Sequence, residues 1–194
     1  MNRASIAGVV LAAGASSRMG RPKALLQYRG ETFLRRLAGI LHETSGHVVV
    51  VVGFDAHLVR AAVPAGVTIV VNPQPGLGML SSLQCALRAT TDFDAVMFLP
   101  VDYGAVQRET IAAVAAEPAD AAIVVPEHDG RHGHPVRVSR AITSELLSLP
   151  PSAQARDVIR RHREITRYVA VNDPGAVADI DCPEDYRALL EAAP

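Results

Sequence analysis

The sequence predicts an α/β fold: a single Rossmann-like domain spanning residues 1–194, with a mostly parallel twisted sheet and helices on both faces. Apolar runs of strand length alternate along the chain with segments of helical periodicity, an order typical of parallel sheets. Hydrophobic residues make up 49% of the chain, yet aromatic residues make up only 4%. Alanine and valine supply much of the apolar content, and such small side chains suit strands that are buried on both faces.

The first half of the chain contains two apolar runs that are typical of central strands. One covers residues 6–12, and the other is the row of five valines at 48–52. Two shorter runs predict further strands. The predicted strands of this half are 6–12, 48–52, 67–71 and 95–99, and the predicted helices are 32–41, 56–63 and 80–89.

The second half begins with a helix at 108–116 and a strand at 121–125. A polar loop with the sequence EHDGRHGHP follows at 127–135 and leads into a short strand at 136–138. Pro150 and Pro151 then separate two helices. The remaining predicted helices are 141–147, 153–162 and 183–193, with a late strand at 166–171 between the last two.

Charge and composition exclude two classes of partner. The net charge of −1 leaves no basic excess for a nucleic-acid backbone. No apolar stretch approaches the ~20 residues of a membrane helix. Cys85 and Cys182 lie far apart and form no metal-type pair, so we expect reduced thiols in a cytoplasmic protein.

The loop after the first strand, LAAGASSRMGRPK, has the composition of a phosphate-binding loop. It lies at the carboxyl end of a predicted strand, where α/β sheets bind ligands. Gly14 and Gly20 allow a close backbone approach, and Arg18 and Lys23 add two cations. It matches neither the P-loop nor the dinucleotide-binding glycine pattern. The alternative is a surface loop with incidental basic residues.

Asp102 directly follows the strand at 95–99, at the same edge of the sheet. A carboxylate in this position suits Mg²⁺, which neutralises phosphates in phosphoryl and nucleotidyl transfer. The residue pattern equally fits a turn or an N-cap before the helix at 108–116. The residues alone leave both interpretations open.

The sequence LAAGASSRMGRPKALL resembles the signature of the MobA/MocA group of nucleotidyltransferases, which act on molybdenum cofactor. That signature reads roughly L-A-A/G-G-x-S-x-R-M/F-G-x-x-K, and every fixed position is matched. The resemblance implies that Arg18 contacts phosphates and that Lys23 stabilises the reacting phosphoryl group. It further implies a border of the nucleotide site at Leu11, Ala12, Ala13 and Gly14.

Two carboxylate motifs extend the resemblance. ADIDCPEDY, residues 178–186, is similar to the family's D-I-D-T-P-E-D, which implies that Asp181 joins Asp102 in holding Mg²⁺. Helix capping by Asp181 with Glu184 is the alternative. Two departures are visible: Cys182 replaces the family's threonine, and Gly104 stands where the family commonly has proline after Asp102. Glycine at 104 predicts a looser backbone there.

Two further segments resemble the family. In NPQPGLGMLSSLQCAL, residues 72–87, the matching positions are Asn72, Gly78 and Ser82, and the resemblance implies that this loop reads the base. GHPV at 133–136 resembles a segment that faces the acceptor, so His134 is the expected acceptor-binding residue. A zinc site formed with His128 and His132 is the less favoured interpretation, because the spacing is irregular and no cysteine joins them.

Together these motifs predict a Mg²⁺-dependent nucleotidyltransferase that prefers CTP over GTP. It would move the nucleotidyl group onto a phosphorylated acceptor, expected to be a molybdopterin-type cofactor, and release pyrophosphate. The expected catalytic residues are Lys23, Arg18 and Asp102. A sugar-phosphate acceptor is one alternative, and a nucleotide-binding partner of a molybdoenzyme without turnover is another.

Overall fold

The computed structural model of the chain describes residues 5–192 and is built around an eight-stranded sheet. The strands follow the order β10-β7-β9-β6-β1-β4-β5, and β8 pairs with β7 outside this path. A separate short hairpin is formed by β2 and β3. The strand bounds are β1 Ile6–Ala12, β2 Gln27–Tyr28, β3 Glu31–Thr32, β4 Val48–Val52, β5 Thr68–Val71, β6 Ala95–Pro100, β7 Ile123–His128, β8 Arg131–His132, β9 Val136–Ser139 and β10 Thr166–Ala170.

The centre of the sheet is parallel and buried on both faces. All seven residues of β1 and all five of β4 are buried, as their continuous apolar sequences predict. The register pairs Ala12 with Val52 and Leu11 with Pro100. The carboxyl ends of β1, β4 and β6 therefore meet at one edge of the sheet.

Seven helices cover the two faces of this sheet in the described part of the chain. Leu34, Leu37 and Leu41 on α1 pack in one core layer, and Leu80, Leu83 and Leu87 on α3 pack in the other. Helices α2, α4 and α7 share the face of α1, while α5 and α6 share the face of α3. The helix bounds are α1 Phe33–Ser45, α2 Ala56–Ala62, α3 Met79–Arg88, α4 Arg108–Ala116, α5 Arg140–Ser148, α6 Ala155–Arg161 and α7 Pro183–Ala192. The α/β fold with helices on both faces is confirmed.

The main difference from the sequence expectation lies at 127–135. Instead of a continuous loop, β7 extends to His128 and turns through Asp129 and Gly130 into β8. Both turn residues have positive φ, 48° and 72°, as a two-residue type I′ hairpin turn requires. Strand β9 then runs antiparallel between β6 and β7, which makes the sheet mixed. Residue 193, the expected end of the last helix, lies outside the described residues.

Between residues 5 and 192, no helix combines the length and the apolar character that crossing a membrane requires.

Candidate active site

A cleft of about 580 Å³ opens at the carboxyl ends of β1, β4 and β6. Nearly all the residues predicted from the sequence line it, although they come from five separate segments of the chain. These are Leu11, Ala12, Ala13, Gly14, Arg18, Lys23, Gly78, Ser82, Asp102, His134 and Asp181. Asn72 is the exception and lies behind the wall of the cleft.

The loop between β1 and Lys23 closes on itself around Ser16. The Ser16 carbonyl accepts hydrogen bonds from the N–H groups of Met19 and Gly20, at 3.0 and 3.1 Å. The Ser16 hydroxyl oxygen accepts one from the N–H of Lys23 at 3.0 Å. Ser16 and Gly20 have positive φ, and Met19 is buried beneath the loop. These contacts fix the point from which the Lys23 side chain enters the cleft.

The Lys23 ammonium group joins the two carboxylates that were predicted to act together. Its Nζ donates to Asp102 Oδ2 at 3.2 Å and to Asp181 Oδ1. Arg18 donates to the other oxygen of Asp181 at 2.9 Å. Burial of Lys23 on its own would lower its pKa, but the contacts with Asp181 and Asp102 outweigh burial and raise it. The hydrogen bond from Lys23 in turn lowers the pKa of Asp181.

Asp102 is the more buried of the two carboxylates. Burial raises its pKa above the ordinary value, and the ammonium of Lys23 only partly opposes this effect. Its Oδ1 is buried and has no hydrogen-bond partner among the described residues. An unpaired carboxylate oxygen is a suitable ligand for a hard cation such as Mg²⁺. The donor set at this point of the cleft therefore fits a divalent metal.

The described residues contain no cluster of three or more side chains able to hold a metal by themselves. Asp102 and Asp181 would supply at most two protein ligands. This suits Mg²⁺, which is usually held by one or two carboxylates together with substrate phosphates and water. The site is therefore compatible with a metal that binds with the nucleotide.

Asp102 does not cap α4, because another aspartate occupies that position. Asp173 Oδ2 accepts from the N–H of Gln107 at 2.8 Å and from the hydroxyl of Thr110 at 2.7 Å. Its Oδ1 accepts from the N–H of Gly175 at 2.9 Å. Asp173 is buried. The carboxylate of Asp102 is consequently directed to Lys23 and the cleft.

Helix α7 is likewise capped without the carboxylate of Asp181. Asp185 reaches back so that its Oδ2 accepts from the N–H groups of Asp181 and Cys182, both at 2.9 Å. The Cys182 thiol donates to the same oxygen. This is the reciprocal half of a capping box, in which an acidic side chain of the first turn satisfies the N-cap backbone. Cysteine at 182 keeps this local contact, and Asp181 remains in the cleft.

Gly104 has a steric reason to be glycine, and the looser backbone expected beside Asp102 stays a prediction. A Cβ at position 104 would lie 2.1 Å from Cγ of the buried Phe33 ring, so only glycine fits there. The Gly104 carbonyl also accepts a hydrogen bond from Arg36 Nε at 3.2 Å. Close packing holds the segment that a proline would otherwise stiffen.

Asn72 organises the loop that was predicted to read the base. Its Nδ2 donates to the hydroxyl oxygens of Ser81 and Ser82, both at 2.9 Å, and its Oδ1 accepts from the N–H of Gln74 at 2.9 Å. These bonds hold the loop against the start of α3. Gly78 precedes that helix with φ of 104°, a backbone conformation that residues other than glycine rarely adopt.

His134 lies beside Tyr103, at the end of the cleft opposite the loop that Asn72 organises. The two ring centroids are 4.4 Å apart. Burial lowers the pKa of His134 to about 4, so the ring is neutral near pH 7. Its Nδ1 is buried and has no partner among the described residues. The other two loop histidines turn elsewhere, His128 to the carbonyl of Val171 and His132 to Glu127, so the three rings do not converge on a zinc ion.

Several cleft residues were not among the predicted site residues, including Phe54, Asp55, Tyr103 and Asp179. Phe54 and Asp55 follow β4 just as Asp102 follows β6. The position directly after a buried parallel strand was the signal that could have found them.

The model of the MobA-like NTP transferase domain matches residues 8–165. The chain belongs to this family. The nucleotidyltransferase class predicted from the sequence is thereby confirmed. The molybdenum cofactor cytidylyltransferase of Escherichia coli K12 is 25% identical over 185 residues, which cover 94% of each chain. Two relatives named "probable molybdenum cofactor guanylyltransferase", from Opitutus terrae and Rhodopirellula baltica, match about half of this MobA-like chain.

Two further similarities span nearly the whole chain. Nicotine blue oxidoreductase of Paenarthrobacter nicotinovorans is 30% identical over 200 residues, covering 95% of this chain and 96% of the relative. The crystal structure of Rv0371c from Mycobacterium tuberculosis H37Rv superimposes with a TM-score of 0.86 and 30% identity, covering 98% of this chain and 100% of that one. A second structure of Rv0371c is a complex with manganese, with a TM-score of 0.82 and 29% identity, covering 97% and 100%.

Proposed function

We propose that this MobA-like chain is a Mg²⁺-dependent cytidylyltransferase acting on a phosphorylated acceptor of the molybdopterin type. The observation that carries the proposal is the contact of the Lys23 ammonium with Asp102 and Asp181 beside the loop that follows β1. An acceptor phosphate oxygen attacks the α-phosphorus of CTP, the bond to the bridging oxygen breaks, and pyrophosphate leaves. No protein nucleophile is required, so catalysis consists of positioning and charge stabilisation.

The cations of the cleft would bind the phosphates, and its carboxylates would bind the metal. Arg18 can fork across phosphate oxygens, and Lys23 can transfer its contact from the carboxylates to the phosphates. Asp102 and Asp181 would hold the magnesium ion, which supplies further charge neutralisation when bound. The unpaired Oδ1 of Asp102 supports this role. The manganese complex of the similar Rv0371c supports a divalent metal in general.

CTP is the triphosphate we favour. Its base would lie against the backbone of Ala12, Ala13 and Gly14 and the loop that Asn72 organises. A pocket closed around a pyrimidine excludes a larger purine, because overpacking is costly. The cytidylyltransferase of Escherichia coli matches this chain over 94% of its length, which supports the same choice.

The acceptor would occupy the end of the cleft at Tyr103 and His134. The Tyr103 side chain offers an aromatic face, and the neutral His134 ring offers a hydrogen bond without adding charge. A flat, heteroaromatic acceptor carrying a phosphate suits these neighbours better than a sugar phosphate. We propose that the product is delivered to a molybdoenzyme.

The similarity to nicotine blue oxidoreductase favours a second candidate, an oxidation–reduction reaction, for which NADH and NADPH are the reductants we would test first. The ammonium–carboxylate cluster favours nucleotidyl transfer over this alternative, because hydride transfer needs neither a metal-binding carboxylate pair nor a lysine directed to phosphates. The two candidates differ in a simple readout, which is oxidation of NADH or NADPH.

The test is pyrophosphate release, assayed with each nucleoside triphosphate, magnesium and a molybdopterin acceptor. We expect release with CTP and acceptor together, and no oxidation of NADH or NADPH. Lys23→Ala should lower turnover by about 10²–10³-fold, the usual loss for one preorganised charge-stabilising donor. Arg21→Ala is the matched control, since Arg21 is a cation of the same loop that does not line the cleft.

Equal turnover of the Lys23→Ala and Arg21→Ala variants would refute the proposed role of Lys23. Faster release with GTP would replace the cytidine assignment by a guanosine one. Oxidation of a nicotinamide cofactor without pyrophosphate release would favour the oxidoreductase candidate.

A further inference from the structure

Phe54 is an exposed aromatic residue in a chain that contains few aromatics. Its relative exposure is 54%, whereas Phe33 and Phe98 are buried. It lines the cleft and does not pack in the core. A large apolar ring left open to solvent inside a binding cleft suggests that a ligand covers it.

The backbone beneath this ring is held firmly between two loops of the cleft. The N–H of Phe54 donates to the carbonyl of Ala13 at 3.3 Å. A Cβ at Gly53 would lie 2.6 Å from that same carbonyl oxygen and 2.8 Å from Cβ of Pro75, so the two loops pack against position 53. A Cβ at Gly76 would lie 3.9 Å from Cζ of Phe54. The backbone of Phe54 is therefore tied to the loop after β1, and the tip of its ring lies beside the loop after β5.

The charge distribution along the cleft shows which part of a ligand this ring would meet. The sheet order β6-β1-β4-β5 places Asp102, after β6, on one side of the loop after β1 and Phe54, after β4, on the other. On the β4–β5 side, the cleft is lined by Phe54, by its chain neighbour Asp55, and by Pro75 and Gly76 of the loop after β5. The carboxylates and cations gather at the opposite side.

We infer that Phe54 stacks on the nucleobase of the bound triphosphate, which makes it a specificity-determining residue for nucleotides over bare phosphates. The inference rests on the proposed function, because it takes the phosphates to lie at Arg18 and Lys23. A nucleotide in the reverse orientation would put its neutral base beside Asp102 and Asp181. Stacking is sequence-tolerant because every base has a π-face, so Phe54 contributes affinity while the backbone of the neighbouring loops selects the base.

The chain contains no tryptophan, so a single indole can report on this contact directly. Phe54→Trp would place the only indole of the protein in the cleft. Ile165→Trp is the matched reporter: Ile165 is 53% exposed and directly precedes β10, at the opposite edge of the sheet. Both variants are titrated with CTP and with inorganic tripolyphosphate in magnesium.

We expect CTP to quench the fluorescence of the Phe54→Trp variant and tripolyphosphate to leave it unchanged. Neither ligand should alter the Ile165→Trp variant. Equal responses of the Phe54→Trp variant to both ligands, or no response to CTP under conditions where calorimetry detects its binding, would overturn the stacking inference.

Calorimetry on a variant that lacks the ring gives an independent measurement of nucleotide affinity. Phe54→Ala should bind CTP roughly tenfold more weakly, since aromatic stacking on one base typically contributes this much, and should bind tripolyphosphate as the wild type does. Phe54→Tyr should restore CTP binding. Leu58→Ala is the control, because Leu58 is 45% exposed on α2 outside the cleft.

The outcomes separate this inference from the proposed function. Unchanged CTP affinity in Phe54→Ala overturns the stacking inference and leaves the nucleotidyltransferase proposal standing. If the wild-type protein binds neither CTP nor tripolyphosphate, both the stacking inference and the nucleotidyltransferase proposal are overturned.

Discussion

Asp102→Asn should abolish turnover and yet stabilise the metal-free fold. The wild-type carboxylate is largely buried, its Oδ1 has no partner among the described residues, and burial raises its pKa despite the ammonium of Lys23. Asparagine keeps the shape of the side chain and removes the charge. The protein would therefore gain stability by losing the group that its proposed reaction requires.

The magnitude follows from two opposing terms. At 3.2 Å and an effective dielectric constant of about 20, the attraction between Lys23 and Asp102 is about 5 kcal/mol before desolvation. Removing a carboxylate from water costs several kcal/mol, and this burial, together with the charges of Asp179 and Asp181, raises the pKa of Asp102 in spite of Lys23. We expect a net gain of about 1 kcal/mol, which corresponds to a rise in Tm of roughly 2–4 °C for a chain of this size.

The gain should depend on pH in a defined direction. A raised carboxyl pKa means that the folded state favours the protonated form of Asp102. Its stabilising contribution is complete below the ordinary value of 3.8 and is lost as pH rises through the folded-state pKa. The difference between variant and wild type should therefore be small in acid and reach its full size at neutral pH. The lowered pKa of Asp181 acts in the opposite direction, but it is shared by both proteins.

Thermal unfolding of both proteins in chelator, from about pH 4 to about pH 8, is the measurement. Magnesium added together with CTP should raise the Tm of the wild type more than that of Asp102→Asn, because a ligand stabilises only the state that binds it. A variant less stable than the wild type at neutral pH would refute the reasoning, since the ion pair with Lys23 would then outweigh the cost of burial.

Four further substitutions test the structural account. Asp181→Asn should lower turnover with little change in Tm, whereas Asp185→Ala should lower Tm by removing the α7 cap and leave turnover nearly intact; the reverse pattern would return Asp181 to a capping role. Gly104→Ala should cost about 1–3 kcal/mol in urea unfolding because its Cβ would collide with Phe33, and an unchanged midpoint would contradict this. Asp173→Ala should cost about 2–4 kcal/mol by leaving the buried N–H of Gly175, the buried hydroxyl of Thr110 and the partly buried N–H of Gln107 unpaired, and a loss below 1 kcal/mol would show that water replaces the carboxylate.

The central strands and most helices could be predicted because their signals are local. The apolar runs at 6–12 and 48–52 give the bounds of β1 and β4 as the structure has them. The hairpin of β2 and β3 was missed because strands of two residues carry no periodicity. The direction of β9 does not follow from local pattern, because it depends on the Asp129–Gly130 turn, which lies within a polar segment that itself predicts a loop.

The candidate site was predictable to the extent that its residues follow strands or match family motifs. Lys23, Asp102 and Asp181 were each singled out, and the structure brings them within hydrogen-bonding distance. The roles of Asn72 and Asp173 could not be predicted, because each depends on partners that the fold brings together. The Asp173 carboxylate contacts Gln107, 66 residues earlier in the chain, and no linear pattern records such a pair.

The fate of the α-phosphate tests the central claim most directly. The enzyme is incubated with magnesium, a molybdopterin acceptor and CTP labelled either in the α- or in the γ-phosphate. The account predicts that α-label appears in a new acceptor–cytidylate product and that γ-label appears in pyrophosphate. Retention of the α-label in unreacted CTP, or its release as free CMP without acceptor product, would contradict nucleotidyl transfer by this cleft.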